Sequence, residues 1–339
     1  MKVVLSPMSF WFHDLCSCLH DCIATVLIYH KHDPTLILGA SWEFYYSPTN
    51  VQREEFYHPL PRPTLAESML PFHPIRSAWH ATDNAERAWA DVKALVAEGQ
   101  PVIVAVDNFY VPFRPAYGDV HAAHLIVVFG FDEATDEVYV LDSTPPTKCG
   151  PIPLRDFLVA RSSDNPVSGE RDFFFAGAPI ANRWLQLDIG TPLPTLTREW
   201  LTEVIATNLR RFREPDASPG WAGIAGLTHY LESICERSLG FDAGDALQEL
   251  YTVGWTAQGA TALHADFLML AGRRLGWDRL VEVGRHVDRL ANEWTALRMF
   301  GAHGFTQPAV IAERLRRRTI TFLSNYEQTL QLLEWAIAE

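Results

Sequence analysis

Three short runs of β-branched residues between positions 101 and 142 constrain the fold of this chain most. PVIVAV (101–106), HLIVVFGF (124–131) and EVYVLD (137–142) are each bounded by turn residues, a pattern typical of buried strands. A short turn, from Asp132 to Asp136, separates the last two runs and predicts an antiparallel hairpin. The chain therefore contains a β-sheet whose faces must be covered by other elements.

Helical patterns precede these strands. Residues 18–31 (CLHDCIATVLIYHK) carry apolar side chains three and four positions apart, and a His-Asp-Pro segment ends this helix. Residues 84–98 predict an amphipathic helix with Asn84 as its N-cap and Gly99 as its C-cap. Residues 35–75 are rich in proline and aromatic side chains with weak periodicity, so we expect irregular structure there.

The sequence pattern changes from mixed helix and strand to helix alone after about residue 188. DIGTPLPTLTRE (188–199) predicts a linker, and every later segment has a helical pattern. One helix is expected to begin with Ser218 as N-cap and Pro219 at its first position, and three longer helices follow it. The sequence thus predicts an α+β domain over residues 1–188 and an all-helical domain over residues 196–339.

Composition excludes several classes of function. The chain of 339 residues suits two domains, and its 48% apolar and 20% charged residues are typical of a globular enzyme. A net charge of −13 argues against nucleic-acid binding, which needs a basic face. No apolar run reaches the roughly 20 residues that a membrane-spanning helix needs. The first residues have no signal-peptide pattern, so we expect a cytoplasmic protein.

Three residues on separate elements form a candidate catalytic constellation. Cys18 stands where a helix should start, after Ser17 as cap, and there the helix dipole favours a thiolate. His124 opens a predicted strand, and Asp142 ends the partner strand of the hairpin. A thiolate nucleophile needs a base and a third group that orients the base, and this order supplies all three.

The residues around this constellation resemble a known superfamily. His124 followed six positions later by Gly130 resembles the papain-type pattern, and Cys18 with Tyr29 resembles the nucleophile helix of bacteriocin-processing peptidases. CLHDCIATVLIYH and PVIVAVDNFYVPFRPAYGDVHAAHLIVVFGFDEATDEVYVLDSTP are similar to the nucleophile and histidine regions of the butirosin-biosynthesis protein H family. This resemblance covers residues 10–185.

The resemblance implies a fold, a reaction and partners. It implies a papain-like cysteine-protease fold with Cys18, His124 and Asp142 as catalytic triad. The reaction would move an acyl or aminoacyl group from a carrier-protein thioester to an amine, through a cysteine acyl-enzyme, in antibiotic biosynthesis. The expected partners are an acyl or peptidyl carrier protein and a small-molecule amine, and homodimer formation stays open. We expect no metal and no cofactor in the chain itself, because the partner carries the phosphopantetheine.

Five further residues are candidates for substrate binding. No glutamine precedes the cysteine as in papain, so His13 is the nearest polar candidate for completing an oxyanion hole. Asp107 is either a turn residue or part of the pocket, and Tyr110 and Tyr117 lie on the aromatic loop that follows it. His121 is a rival to His124 as base and otherwise a pocket residue.

Alternative roles remain open at the level of the sequence. Cys22 or Cys16 could replace Cys18 as nucleophile, and the cysteine cluster could bind zinc, although its spacing fits no standard finger. Asp142 could simply cap the turn that follows it. The same triad would also serve a peptidase, an amidase or a thioester hydrolase, and it could cyclise its own acyl group. A non-catalytic binding protein on the same fold is the remaining alternative.

Overall fold

The computed structural model describes residues 1–48, 62–167, 176–215, 220–304 and 308–338. These residues divide into two compact units. Of the described residues, the first unit contains 1–34, 76–167 and 176–189, and the second contains 35–48, 62–75, 190–215, 220–304 and 308–338. The first is a mixed α and β unit and the second is mainly helical, so the α+β class is confirmed.

The first unit is built around an antiparallel sheet. Its strand order is β3-β8-β4-β5-β6-β7, and β1 pairs with the end of β5 that extends beyond β4. All ten residues of β5 are buried, which explains the near-continuous apolar run in the sequence. The elements are β1 (Lys2–Val4), α1 (Cys18–Tyr29), β3 (Ile75–His80), α4 (Ala85–Ala97), β4 (Val102–Asp107), a 3₁₀ turn (Asn108–Tyr110), β5 (Ala123–Asp132), β6 (Glu137–Asp142), β7 (Lys148–Pro153), α5 (Leu154–Arg161) and β8 (Trp184–Ile189).

The predicted strands and hairpin are confirmed. Strands β5 and β6 pair through a register that closes with Asp132 opposite Glu137, as the short turn requires. One apolar face of the sheet packs with α4 and α5 into a core that includes Val104, Ile126 and Val140. Helix α1 contacts β5 and β4, so the first unit is a sheet covered by helices.

Gly130 explains part of the sequence pattern that begins at His124. A β-bulge interrupts the β5–β6 register between Val128 and Gly130, and β1 runs alongside at the same point. A Cβ atom added at Gly130 would lie 2.7 Å from the carbonyl oxygen of Val3. Only glycine therefore allows β1 to pair so closely with β5.

The second unit contains most of the long helices. Its core joins Trp42 and Phe44 to apolar side chains of the helices, including Phe212 and Trp294. The elements are α2 (Pro34–Leu38), β2 (Tyr45–Tyr46), α3 (Leu65–Met69), α6 (Arg198–Arg213), β9 (Trp221–Ala222), α7 (Gly223–Arg237), α8 (Ala243–Leu275), α9 (Asp278–His303) and α10 (Pro308–Ile337). Within the described ranges, no helix is both long and apolar enough to span a membrane.

Residues 35–75 differ from the expectation of irregular structure. The described parts of this segment include α2, β2 and α3, and they cluster with the helical unit and not with the sheet. The physical reason is the burial of Trp42, whose indole N–H donates to Thr261 Oγ1 at 3.2 Å and whose ring stacks on His264 at 5.0 Å. The predicted boundary near residue 188 therefore misses a segment that contributes to the second unit.

The region after residue 188 is not purely helical. Strand β8 runs to Ile189, and β9 pairs antiparallel with β2 before α7 begins at Gly223. The expected helix start is therefore wrong, and Ser218 and Pro219 lie outside the described residues. Gly223 has φ +65°, and a Cβ there would lie 2.5 Å from the Phe212 carbonyl oxygen, so glycine is required where the strand turns into the helix.

We expect His264 to make the protein acid-sensitive. Its Nδ1–H donates to the Gly39 carbonyl oxygen at 2.8 Å, and burial lowers the pKa of His264 to about 4. A histidine whose pKa is lowered by folding is protonated more readily when unfolded, so stability is full above pH 6.5 and falls below it. The loss between pH 7 and pH 5 should be roughly 2 kcal/mol.

The variant His264→Asn keeps a donor near the Nδ1 position and removes the titration. Urea unfolding at pH 7 and pH 5 should show a smaller pH dependence in this variant than in the wild type, although its stability at pH 7 is lower because ring packing on Trp42 is lost. An equal pH dependence in both proteins would contradict this role for His264.

Candidate active site

Helix α1 begins at Cys18 as the sequence predicts. Ser17 is extended, with φ −96° and ψ 165°, and its backbone N–H and hydroxyl both lie within hydrogen-bond distance of His20 Nδ1, at 3.4 and 3.0 Å. The side chain of Cys18 is only 1% exposed. Its thiol thus lies at the helix N-terminus, where backbone N–H groups and the helix dipole stabilise negative charge.

His20 belongs to the cap of this helix. Burial, with a smaller effect of the charge on His13, lowers the pKa of His20 to about 4. The ring is therefore neutral at pH 7, and the backbone N–H of Ser17 donates to its Nδ1, so the proton of the neutral ring is on Nε2. His20 fixes the start of α1 and adds no positive charge beside the thiol.

His124 and Asp142 form a buried pair at one end of the sheet. The Nε2 of His124 lies 2.9 Å from Oδ2 of Asp142, and the two side chains are 0% and 1% exposed. A carboxylate only accepts hydrogen bonds, so Nε2–H is the donor and the lone pair of the neutral ring is on Nδ1. The pair has the arrangement of a base and its orienting group.

Arg114 is a residue of this site that the sequence analysis did not single out. Its Nη1 donates to Oδ2 of Asp142 at 3.1 Å and to the carbonyl oxygen of Thr144 at 3.0 Å. The backbone N–H of Thr144 donates to the other carboxylate oxygen at 3.0 Å. Asp142 is thus held on three sides, which argues against a role limited to capping the turn. Only the three-dimensional loop brings Arg114 there, because it is 28 residues away in the chain.

The face of α1 that carries Cys18 is bonded to the residues that follow Asp142. The hydroxyl of Thr144 donates to Oδ2 of Asp21 at 3.2 Å, and the hydroxyls of Thr25 and Ser143 lie 3.3 Å apart. Cys18, Asp21 and Thr25 are three and four positions apart along the helix and so share one face. The structure therefore bonds the Cys18 side of α1 to the chain that directly follows the strand end holding the His124–Asp142 pair.

A second buried histidine–aspartate pair lies at the same end of the sheet. Nδ1 of His121 is 2.6 Å from Oδ2 of Asp107, and the hydroxyl of Ser163 donates to the same oxygen at 2.6 Å. The backbone N–H groups of Phe109 and Ala122 donate to Oδ1 at 3.0 and 3.2 Å. Asp107 thus closes the base of the loop that presents Arg114, so it is more than a simple turn residue.

The remaining predicted pocket residues lie on two loops. Tyr110 is half-buried against the sheet core and packs edge-on to His121, whereas Tyr117 is 53% exposed. His13 lies before α1, where its ring stacks on Trp11 and its Nδ1 accepts from the backbone N–H of Leu15 at 3.2 Å. The backbone N–H of Trp11 donates to the hydroxyl of Ser143 at 3.2 Å, so this segment contacts the end of β6.

The rival cysteines Cys16 and Cys22 are also buried, and neither is in a disulfide. Cys16 lies before the helix and Cys22 one turn within it, where the dipole is weaker than at Cys18. In the part of the chain that the structure describes, no three histidine, cysteine or acidic side chains come together as metal ligands. The zinc alternative gains no support from these residues.

The site combines a thiol at a helix N-terminus with a buried histidine–aspartate pair in a unit of α+β architecture. Residues 17–143 match the family described as butirosin biosynthesis protein H, N-terminal. The match confirms, over this segment, the resemblance seen in the sequence. No curated protein matches the chain. The matched segment contains Cys18, His124 and Asp142.

We expect Arg114→Met to destabilise the protein strongly. The change leaves a buried carboxylate without its cationic partner, which should lower the free energy of unfolding by about 3 kcal/mol. Arg76→Met is the matched control, because Arg76 and its partner Asp188 are both exposed and such pairs contribute little. Urea unfolding of Arg114→Met, Asp142→Asn and the double variant should show costs that are less than additive. An Arg114→Met protein as stable as Arg76→Met would contradict this account.

Proposed function

We propose that this protein is a cysteine-nucleophile acyltransferase of antibiotic biosynthesis. The observation that carries the proposal is the buried His124–Asp142 pair at a strand end that is bonded to the Cys18 face of α1. The family match over residues 17–143 supports a role in butirosin-type biosynthesis. A base with a fixed tautomer and a thiol at a helix N-terminus are the two groups that acyl transfer through a cysteine needs.

The frame that supports these residues is, in this proposal, papain-like. The nucleophile stands at the first position of a buried helix that packs against an antiparallel sheet. The base is at the start of a central strand and its orienting carboxylate is at the end of the neighbouring strand. These positions correspond to the roles of the papain-type triad, which is recognised by geometry and not by residue spacing.

In the first half-reaction, Cys18 attacks the carbonyl carbon of an acyl thioester. His124 takes the thiol proton at Nδ1 while Asp142 accepts from Nε2–H and stabilises the imidazolium. The backbone N–H groups at the start of α1 stabilise the oxyanion of the tetrahedral intermediate. The C–S bond to the donor then breaks, and His124 returns the proton to the leaving thiol, so the acyl group stays on Cys18.

In the second half-reaction, an amine attacks the acyl-enzyme carbonyl. The new C–N bond forms, the C–S bond to Cys18 breaks, and one N–H proton reaches the sulfur through His124. The donor is an acyl or peptidyl carrier protein with its own phosphopantetheine, and the acceptor is a small-molecule amine. His13, Tyr110 and Tyr117 are the proposed pocket residues that exclude water from this step. A cytoplasmic location suits both partners.

We expect acyl loading to depend on the proposed triad. Incubation with a panel of acyl pantetheine thioesters should add one acyl mass to the wild type by intact-mass spectrometry, and Cys18→Ala should abolish the addition. Asp142→Asn should slow loading about 100-fold or more, because the histidine loses its oriented tautomer. Cys22→Ala and Cys16→Ala are the matched controls and should load normally.

The same experiment separates the alternative functions. Loaded protein that releases its acyl group to water equally fast with and without added amines would favour a hydrolase. Loss of loading in Cys22→Ala or Cys16→Ala, with loading retained in Cys18→Ala, would show that the nucleophile is that other cysteine and not Cys18. No loading with any donor would contradict the proposed chemistry and favour a binding protein.

A further inference from the structure

The proton balance of amide formation requires more than the triad supplies. An alkylamine is an ammonium ion at pH 7, because its pKa is about 10. Conversion of R-NH₃⁺ and an acyl-enzyme into an amide and a free thiol releases one proton to solvent and places another on the sulfur. His124 can carry the proton that returns to Cys18. The proton that the ammonium must lose before it can attack needs a second acceptor.

The second histidine–aspartate pair has the features of such an acceptor. The carboxylate of Asp107 is 0% exposed and only accepts hydrogen bonds, so Nδ1 of His121 is the donor and its lone pair is on Nε2. Among the described residues, the only hydrogen-bond partner of the ring is Asp107, which leaves Nε2 for a ligand. His121 is therefore an oriented base in the same sense as His124.

The ring of His121 is also rigidly held. Phe109 stacks on it in parallel at 4.2 Å, and Tyr110 packs edge-on at 6.0 Å. The side chain is 10% exposed, so most of the ring is buried and a small part of it is accessible to solvent. Asp107, Phe109 and Tyr110 are the groups that face the ring, and Ser163 faces Asp107 from the chain that follows α5. A locked ring with one available nitrogen is pre-organised for a ligand.

The two pairs lie at the same end of the sheet. Val106, which precedes Asp107 on β4, is the register partner of His124 on β5, and Asp107 is the partner of Ala123. His121 is three residues before His124. Adjacent strands are about 5 Å apart, so the two histidines reach the same edge of the sheet.

We propose that His121 is the base that deprotonates an ammonium acceptor, separately from His124, which serves the thiol. The inference rests on the proposed acyl transfer and deepens it, because it assigns a residue to the proton that the ammonium acceptor must lose. The nitrogen's proton moves to Nε2 of His121, the neutral amine attacks the acyl carbon, and His121 releases the proton to solvent. Water as acceptor needs no such step, so the role is specific to aminolysis.

The variant His121→Asn tests this role. The Asn amide keeps a donor toward Asp107 and removes the Nε2 base. With the acyl pantetheine that loads the wild type best, the readout is the ratio of amide to hydrolysis product that the loaded enzyme forms. With n-butylamine at pH 7 this ratio should fall about 100-fold in the variant. The deficit should shrink as pH rises toward the amine's pKa, since the free amine then no longer needs a base.

Two controls make the result specific. Hydroxylamine is already neutral at pH 7, so it should accept the acyl group equally well from the variant and the wild type. His80→Asn makes the same change on β3 of the same unit and should keep the wild-type ratio of amide to hydrolysis. Equal losses with n-butylamine and hydroxylamine, or no loss with either, would overturn the proposed role. Failure of the wild type itself to load at Cys18 would instead overturn the proposed function, and the inference with it.

Discussion

The buried carboxylate of Asp142 is the interaction on which the rest of the candidate site depends. A charge with so little contact with water must be met by donors, and His124, Arg114 and the Thr144 backbone N–H supply them. These contacts fix the tautomer of His124 and pin the loop that carries Arg114. The same strand end bonds to α1 through Ser143 and Thr144. The carboxylate of Asp142 therefore holds the Arg114 loop and His124 of β5 in place, at a strand end that is also bonded to α1.

The site also shows how one sheet edge can hold two bases with different partners. Asp107 is the last residue of β4 and Asp142 the last residue of β6. The strand between them, β5, carries His124 as its second residue, and His121 lies two residues before it begins. Each carboxylate accepts from one imidazole and from a backbone N–H of its own turn, so each ring has one nitrogen fixed as donor. Two oriented imidazoles give the proposed reaction separate paths for the thiol proton and the acceptor proton.

The sequence predicts those features that depend on local chemistry. Periodicity and capping predict the strands, the Asp132–Asp136 turn and the start of α1. The candidate residues Cys18, His124 and Asp142 lie at the ends of these predicted elements. Features that depend on contacts between distant residues cannot be predicted from the sequence. The burial of Trp42 among helices far along the chain and the reach of Arg114 to Asp142 leave no periodic signal. The hydrogen bond between Asp107 and His121 likewise forms only when the loop between them closes, so the sequence does not reveal it.

Site-resolved alkylation of the cysteines tests the central claim, which is that His124 activates Cys18. Exposure alone predicts that the exposed Cys149 reacts before the buried Cys18. Activation by His124 predicts the reverse order with iodoacetamide at pH 6, measured by peptide mapping, and predicts that His124→Asn restores the order set by exposure. Labelling of Cys149 first in the wild type, with no change in the His124→Asn variant, would contradict the account.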